Sequence, residues 1–208
     1  MQIGVRTLAS KLGQTGLQKL VAMGAIPAQR LCTKRAFTAT IGMSNAELVK
    51  NRAALGKKME LVARHSMLGI TTTHNDLYPE LSRYVAKECH NAHSEVPLRA
   101  HIGDITIIGS ADFIFDDTQG KRILSEYKTS MYHFPNSVGY LQAILYALIY
   151  NRFGAQSKNT KIKHKYIDRV EWLNPITGLH CTLLADPQQL CAKDNLEKII
   201  SVYFEKIN

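Results

Sequence analysis

Apolar residues recur along this chain with two periods, and the changes between them mark its elements. From Ser44 to about Met67 they return every three or four positions, at Leu48, Leu55, Met59 and Val62. That is the spacing of one helix face, and Ser44 with Glu47 opens it as a Ser-x-x-Glu capping box. A polar stretch from Thr71 to Asn75 follows. Asn75 or Asp76 then caps a second helix, with Pro79 in its first turn and Leu77, Leu81, Tyr84 and Val85 as its stripe. Beyond it the pattern shortens to alternation. Strands are expected over 96–102, 105–115 and 122–128, separated by Gly103-Asp104 and by the polar run from Asp116 to Lys121.

A helix is predicted from a Ser137 cap to about Phe153. Val138, Leu141, Ile144, Leu145, Leu148 and Ile149 make it apolar over a broad arc, so it is buried. Strands over 166–173 and 179–185 come next, and Asp186-Pro187 starts a last helix. This order implies an α/β fold, a mixed central sheet that includes the hairpin, flanked by helices, with the candidate site at one edge of the hairpin.

The first 43 residues read differently. Leu8, Leu12, Leu17, Leu20 and Val21 form a loose helical stripe, and no acid occurs before Glu47. The six basic residues before it (Arg6, Lys11, Lys19, Arg30, Lys34, Arg35) carry most of the net charge of +9, leaving 20 basic against 17 acidic side chains beyond. The overall charge is therefore no evidence by itself for a nucleic-acid surface. The segment has the composition of a mitochondrial transit peptide, with Arg35-Ala36-Phe37 as a processing site. It also suits a basic arm on phosphates or a structural N-terminal helix. Two units are expected, this extension (1–43) and a domain over 44–208. No run of about 20 apolar residues is present, so no membrane span is expected. The four cysteines (Cys32, Cys89, Cys181, Cys191) are scattered, which fits neither a disulfide framework nor a zinc site.

Candidate chemistry gathers between Gly109 and Ser130. If the 116–121 loop is centred on Gln119, antiparallel pairing sets Asp112 opposite Glu126, with Cβ atoms roughly 4.5–5.5 Å apart. Side chains alternate faces, so Lys128 joins Glu126. Two carboxylates so close repel by on the order of 4 kcal/mol at an effective dielectric near 20. A fold avoids that unless a cation lies between them, and hard oxygen donors suit Mg²⁺ or Mn²⁺. A lysine alongside can orient or help deprotonate water. The competing reading is a surface hairpin with a charge cluster.

Gly109-x-x-Asp112, Glu126-x-Lys128-Thr129 and, on the following helix, Gln142-x-x-x-Tyr146 stand in order. Together they resemble the PD-(D/E)xK nuclease superfamily, in its RecB-like branch, over roughly Ser44 to the C-terminus; Ala111 replaces the family proline. Within that branch the pattern is similar to the mitochondrial genome-maintenance exonucleases, which trim single-stranded DNA ends. The resemblance implies a restriction-endonuclease-like core and a metal-dependent nuclease, preferably an exonuclease on single-stranded DNA. Asp112, Glu126 and the Tyr127 carbonyl would hold the metal. Lys128 would position water, and Gln142 would keep the geometry. Thr129, Ser130 and Tyr146 would meet substrate. Gly56-x-x-x-Glu60 resembles the motif that brings an acid to the metal from the first core helix, although pairing with Lys57 or Arg64 explains Glu60 as well. Glu95 is a metal-shell acid or an ordinary residue at a strand start. The cysteines do not match the four-cysteine iron–sulfur arrangement of some members, so no cluster is expected. The alternative function is a binding module of nuclease descent that no longer cuts.

Other features are weaker. His90 and His93 are read as surface or helix-end residues. Tyr132, His133 and Phe134 could stack on bases. Lys158, Lys161, Lys163, His164 and Lys165 form a basic loop.

Overall fold

A computed structural model of the chain describes residues 1–38, 45–70, 78–129, 135–155, 165–192 and 194–207, with no side-chain account of 45–49 and 52. The elements are β1 (Gln2–Gly4), α1 (Val5–Ala22), β2 (Leu31–Arg35), α2 (Asn45–Met67), α3 (Pro79–Glu88), β3 (His90–Ile102), β4 (Ile105–Asp116), β5 (Arg122–Tyr127), α4 (Ser137–Phe153), β6 (Arg169–Asn174), β7 (Leu179–Leu183), a 3₁₀ turn (Pro187–Leu190) and α5 (Asn195–Ile207). Seven strands form one sheet in the order β1-β4-β5-β6-β7-β2, with β3 also on β4. The β1/β4 and β5/β6 pairs are parallel and the others antiparallel. The protein is thus α/β, a mixed sheet flanked by helices.

Strand β4 organises the sheet. Its 12 residues pair with β3 from one end to the other. A strand has two edges, so its other partners must share the second one. There β1 takes Thr106–Ile108 and β5 takes Phe113–Asp116. Between these two neighbours, residues 109–112 of β4 have no ladder partner on that edge.

Two cores lie on the two faces. On one, Leu8, Leu12 and Leu20 of α1, Ile144 and Leu145 of α4 and Ile199 of α5 close over Leu124, Val170 and Trp172. On the other, Leu55, Met59 and Val62 of α2 with Leu81 and Val85 of α3 cover Phe113, Phe115, Ile123 and Leu173. Alternation sends Phe113 and Phe115 to the second core and Ile114 to the first. Stacking of Tyr140 on Trp172, with ring centroids 5.6 Å apart, seats α4 on β6. The Trp172 indole N–H donates to the Gly139 carbonyl at 3.2 Å.

Several expectations change. Residues 2–22 are not an appendage to a domain beginning at Ser44. They form a strand in the sheet and a helix whose leucines belong to the first core, as the structural reading of that segment has it. His90 and His93 open β3 instead of ending a helix, although His90 is exposed as the surface reading has it, and the register is irregular between them where Asn91 takes φ +46°. The α4 cap is Asn136, whose side chain accepts from the Gly139 N–H at 2.8 Å, and not Ser137. Asp186 caps only the 3₁₀ turn, accepting from the Gln188 N–H, and α5 starts afresh at Asn195. The capping atoms of Ser44 and Glu47, the proposed caps Asn75 and Asp76, Ser130, the aromatics 132–134 and the basic residues 158–164 lie outside the described residues. No helix among the described residues is long and apolar enough to cross a membrane.

Candidate active site

The hairpin between β4 and β5 is built from its turn. Asp117 accepts from the Gln119 and Lys121 N–H groups at 2.9 Å each, an Asx-type closure that centres the loop on Gln119. Pairing of Asp116 with Arg122, Phe115 with Ile123, Ile114 with Leu124 and Phe113 with Ser125 then follows. This is the register expected from the sequence. It brings Asp112 level with Glu126, and there the strands part. Each side chain bonds the opposite backbone: the Asp112 N–H donates to Glu126 Oε1 at 3.3 Å, and the Tyr127 N–H to Asp112 Oδ2 at 2.9 Å. Two carboxylates thus stand where ladder bonds would be, in the gap on the edge of β4.

Lys128 closes the group. Its Nζ donates to Glu126 Oε2 at 2.8 Å, and its N–H bonds the Leu173 carbonyl of β6 at 3.0 Å. Glu126 is fully buried. Burial first, and the Asp112 charge second, push its carboxyl up to about 7 despite Lys128. Burial also raises the Asp112 carboxyl, against the pull of Lys128 and the Tyr127 N–H. For Lys128 burial works against the charge, but Glu126 and Asp112 outweigh it and hold the ammonium above its ordinary value.

Neighbouring elements reach the gap through two glycines. A Cβ on Gly109 would lie 2.5 Å from Tyr146 Cε1 and 3.0 Å from Val5 Cγ2. Only a bare backbone lets α4 and the start of α1 cross β4 three residues before Asp112. A Cβ on Gly56 would lie 2.8 Å from Thr129 Cγ2, so α2 meets the end of the Glu-x-Lys-Thr segment there. Glu60, one turn further along α2, then comes within the field of Asp112, Lys128 and Glu95. Burial and the Asp112 charge raise its carboxyl.

Gln142 and Tyr146 stand one turn apart on α4, the Gln142 amide donating to the Tyr146 hydroxyl at 3.2 Å. Burial and the Glu126 charge push that hydroxyl up to about 12. Thr129 lies against α2, while Ser130 falls outside the described residues.

Two residues at the site were weighted wrongly or missed by sequence reasoning. Glu95 is not at a strand start. It lies within β3, between the Ser94–Phe113 and Val96–Ala111 pairs and so level with Asp112, in the left-handed region at φ +50°. Arg64 binds it at 2.7 Å and also reaches Glu60 at 3.7 Å. The sequence offered Glu95 as a metal-shell acid or a strand-start residue, but alternating polarity carries no sign of a positive φ, so this conformation was not legible. Arg6, next to Val5, acts electrostatically on Lys128, and an acid-free leader did not point to that place.

The donor set is oxygen-rich, and its acids (Asp112, Glu126, Glu60, Glu95) outnumber the bases near them (Lys128, Arg64, Arg6). A fully buried, upshifted Glu126 beside Asp112 is a place where added positive charge lowers the free energy. Asp112 and Glu126 therefore fit a hard divalent cation. Among the described residues no three His, Cys, Asp or Glu side chains converge into a closed ligand set, so Glu60 stands near the pair without completing it.

No family model and no curated protein matches the chain. Among solved structures, the crystal structure of SSO0001 is similar over 97% of this chain and 76% of that one, at 16% sequence identity and a TM-score of 0.41.

Proposed function

We propose that this chain is a metal-dependent DNA nuclease, an exonuclease on single-stranded ends serving DNA maintenance, repair or recombination. The observation that carries this reading is the convergence of Asp112, Glu126 and Lys128 where β4 and β5 separate. Asp112 and Glu126 would hold Mg²⁺ or Mn²⁺, with the Tyr127 carbonyl and Glu60 beside them, supplying positive charge for the phosphate and the attacking water. The chain's own residues do the rest. The Lys128 ammonium steadies negative charge on the phosphate and orients the water through its remaining hydrogens. Gln142 and Tyr146 hold the wall behind Gly109, and Thr129 and Tyr146 would meet the substrate. The Glu126 carboxyl must give up its proton before it binds a cation, so loading is favoured above about pH 7.

The acid-free N-terminus supports a mitochondrial site of action. Removing residues 1–37 there would take away β1, α1 and β2, so targeting without removal is the form compatible with the fold.

The test supplies 5′- and 3′-labelled single- and double-stranded DNA with Mg²⁺ or EDTA. Cleavage should need the cation, prefer single strands, and fall about a hundredfold or more in Lys128→Ala. A binding module that no longer cuts is the second reading. It predicts salt-sensitive DNA binding with no cation-dependent cleavage.

A further inference from the structure

Arg64 lies on α2 one turn beyond Glu60, and it is shared by the two acids that flank the Asp112–Glu126 pair. Its Nη2 is 2.7 Å from Glu95 Oε1 and 3.7 Å from Glu60 Oε1. Its Nε is buried with no hydrogen-bond partner among the described residues. Glu95 meets it from φ +50°, a conformation that residues other than glycine keep only where their surroundings impose it. The strand register would set Glu95 level with Asp112. The positive φ interrupts that regularity, and the carboxylate is bound to α2 instead. The flanking acids are tied to the centre by charge: Asp112 and Glu95 each help to raise the Glu60 carboxyl, and Glu95 helps to raise that of Asp112.

We propose that Arg64 is a positioning residue that competes with the divalent cation for Glu60 and Glu95, and so sets the cation concentration at which the Asp112–Glu126 site fills. The proposal rests on the reading of that site as a divalent centre. A guanidinium and a dication drawn to the same carboxylates repel each other. While Arg64 is engaged, the two acids are neutralised without the metal. When it is replaced by an uncharged residue, both become available to the cation.

The experiment titrates the full chain with Mn²⁺ and follows free ion by electron paramagnetic resonance, a readout independent of cleavage. Arg64→Gln and Arg64→Met, two uncharged side chains of similar reach, should each bind Mn²⁺ roughly fivefold more tightly than wild type. Arg64→Lys should restore the wild-type value. Glu95→Gly should raise the cation-free melting temperature, because glycine accepts the positive φ, and should weaken Mn²⁺ binding. Affinity that is unchanged or weaker in both uncharged Arg64 variants overturns the proposal. Should wild type show no Mn²⁺ binding that Asp112→Ala removes, the divalent centre itself fails and Arg64's role falls with it. Wild-type binding with unaltered Arg64 variants defeats the Arg64 inference alone.

Discussion

At the scale of single residues, Glu126 ties the candidate site to stability. Its carboxyl is raised from an ordinary 4.5 to about 7 by burial and by Asp112. Across that window the folded chain keeps a proton that the unfolded chain has released. Stability of the cation-free protein therefore falls as pH rises from about 4.5 through 7. Asp112, also raised, adds a slope of the same sign. Thermal unfolding in EDTA should show this decline, Glu126→Gln should flatten it, and Mg²⁺ should reverse it for wild type only. A wild-type melting temperature that climbs over the same range would contradict the assignment. Gly109 makes a second residue-level case. Gly109→Ala places a methyl within 2.5 Å of the Tyr146 ring and 3.0 Å of Val5. Overpacking of this kind costs about 1–3 kcal/mol, measurable by urea denaturation, and the same variant should lose cleavage because Tyr146 is pushed off its place.

At the scale of elements, the hairpin was legible because its turn chemistry and its two-residue alternation agree. Asp117 and Gly120 set the loop, and Asp112, Glu126 and Lys128 fell together with no slip. Strand β3 was harder. His90 to Glu95 reads as polar and irregular, and what lets it run on as strand is the contorted backbone at Asn91 and Glu95, which no side-chain pattern announces. The short strands β1 and β2 were not foreseen either. Three residues such as Gln2–Gly4 show no period, and their pairing is decided by a partner strand far along the chain. For α2 the Gly56 approach yields a prediction. Gly56→Ala gains helix propensity, about 1 kcal/mol, but its methyl would lie 2.8 Å from Thr129 Cγ2, on a stiff β-branched side chain, so α2 must shift outward and the gain is offset. Stability should change little while apparent Mg²⁺ demand rises, because Glu60 is carried away from the site. A variant matching wild type in both stability and Mg²⁺ dependence would detach Glu60 from the reaction.

For the molecule as a whole, the two faces of the sheet converge on one gap. Helices α1 and α4 reach it from the first core and α2 from the second, and the gap exists because β1 and β5 divide one edge of β4 between them. Deleting residues 1–24 removes a strand and bares the surface that Leu8, Leu12 and Leu20 cover. At about 1.5–3 kcal/mol for each buried leucine, the loss is comparable to the whole stability of a domain. The truncated chain should lack a cooperative melt by circular dichroism, whereas an independent leader would come off without effect. The division of that edge also has a consequence for biogenesis. The first strand docks beside Thr106–Ile108, so a ribosome adding about 5–20 residues per second leaves it waiting on the order of ten seconds for its seat. Throughout that interval the leucine face of α1 (Leu8, Leu12, Leu17, Leu20) has no sheet to lie on, so the segment stays open to wrong contacts until Thr106–Ile108 has been made.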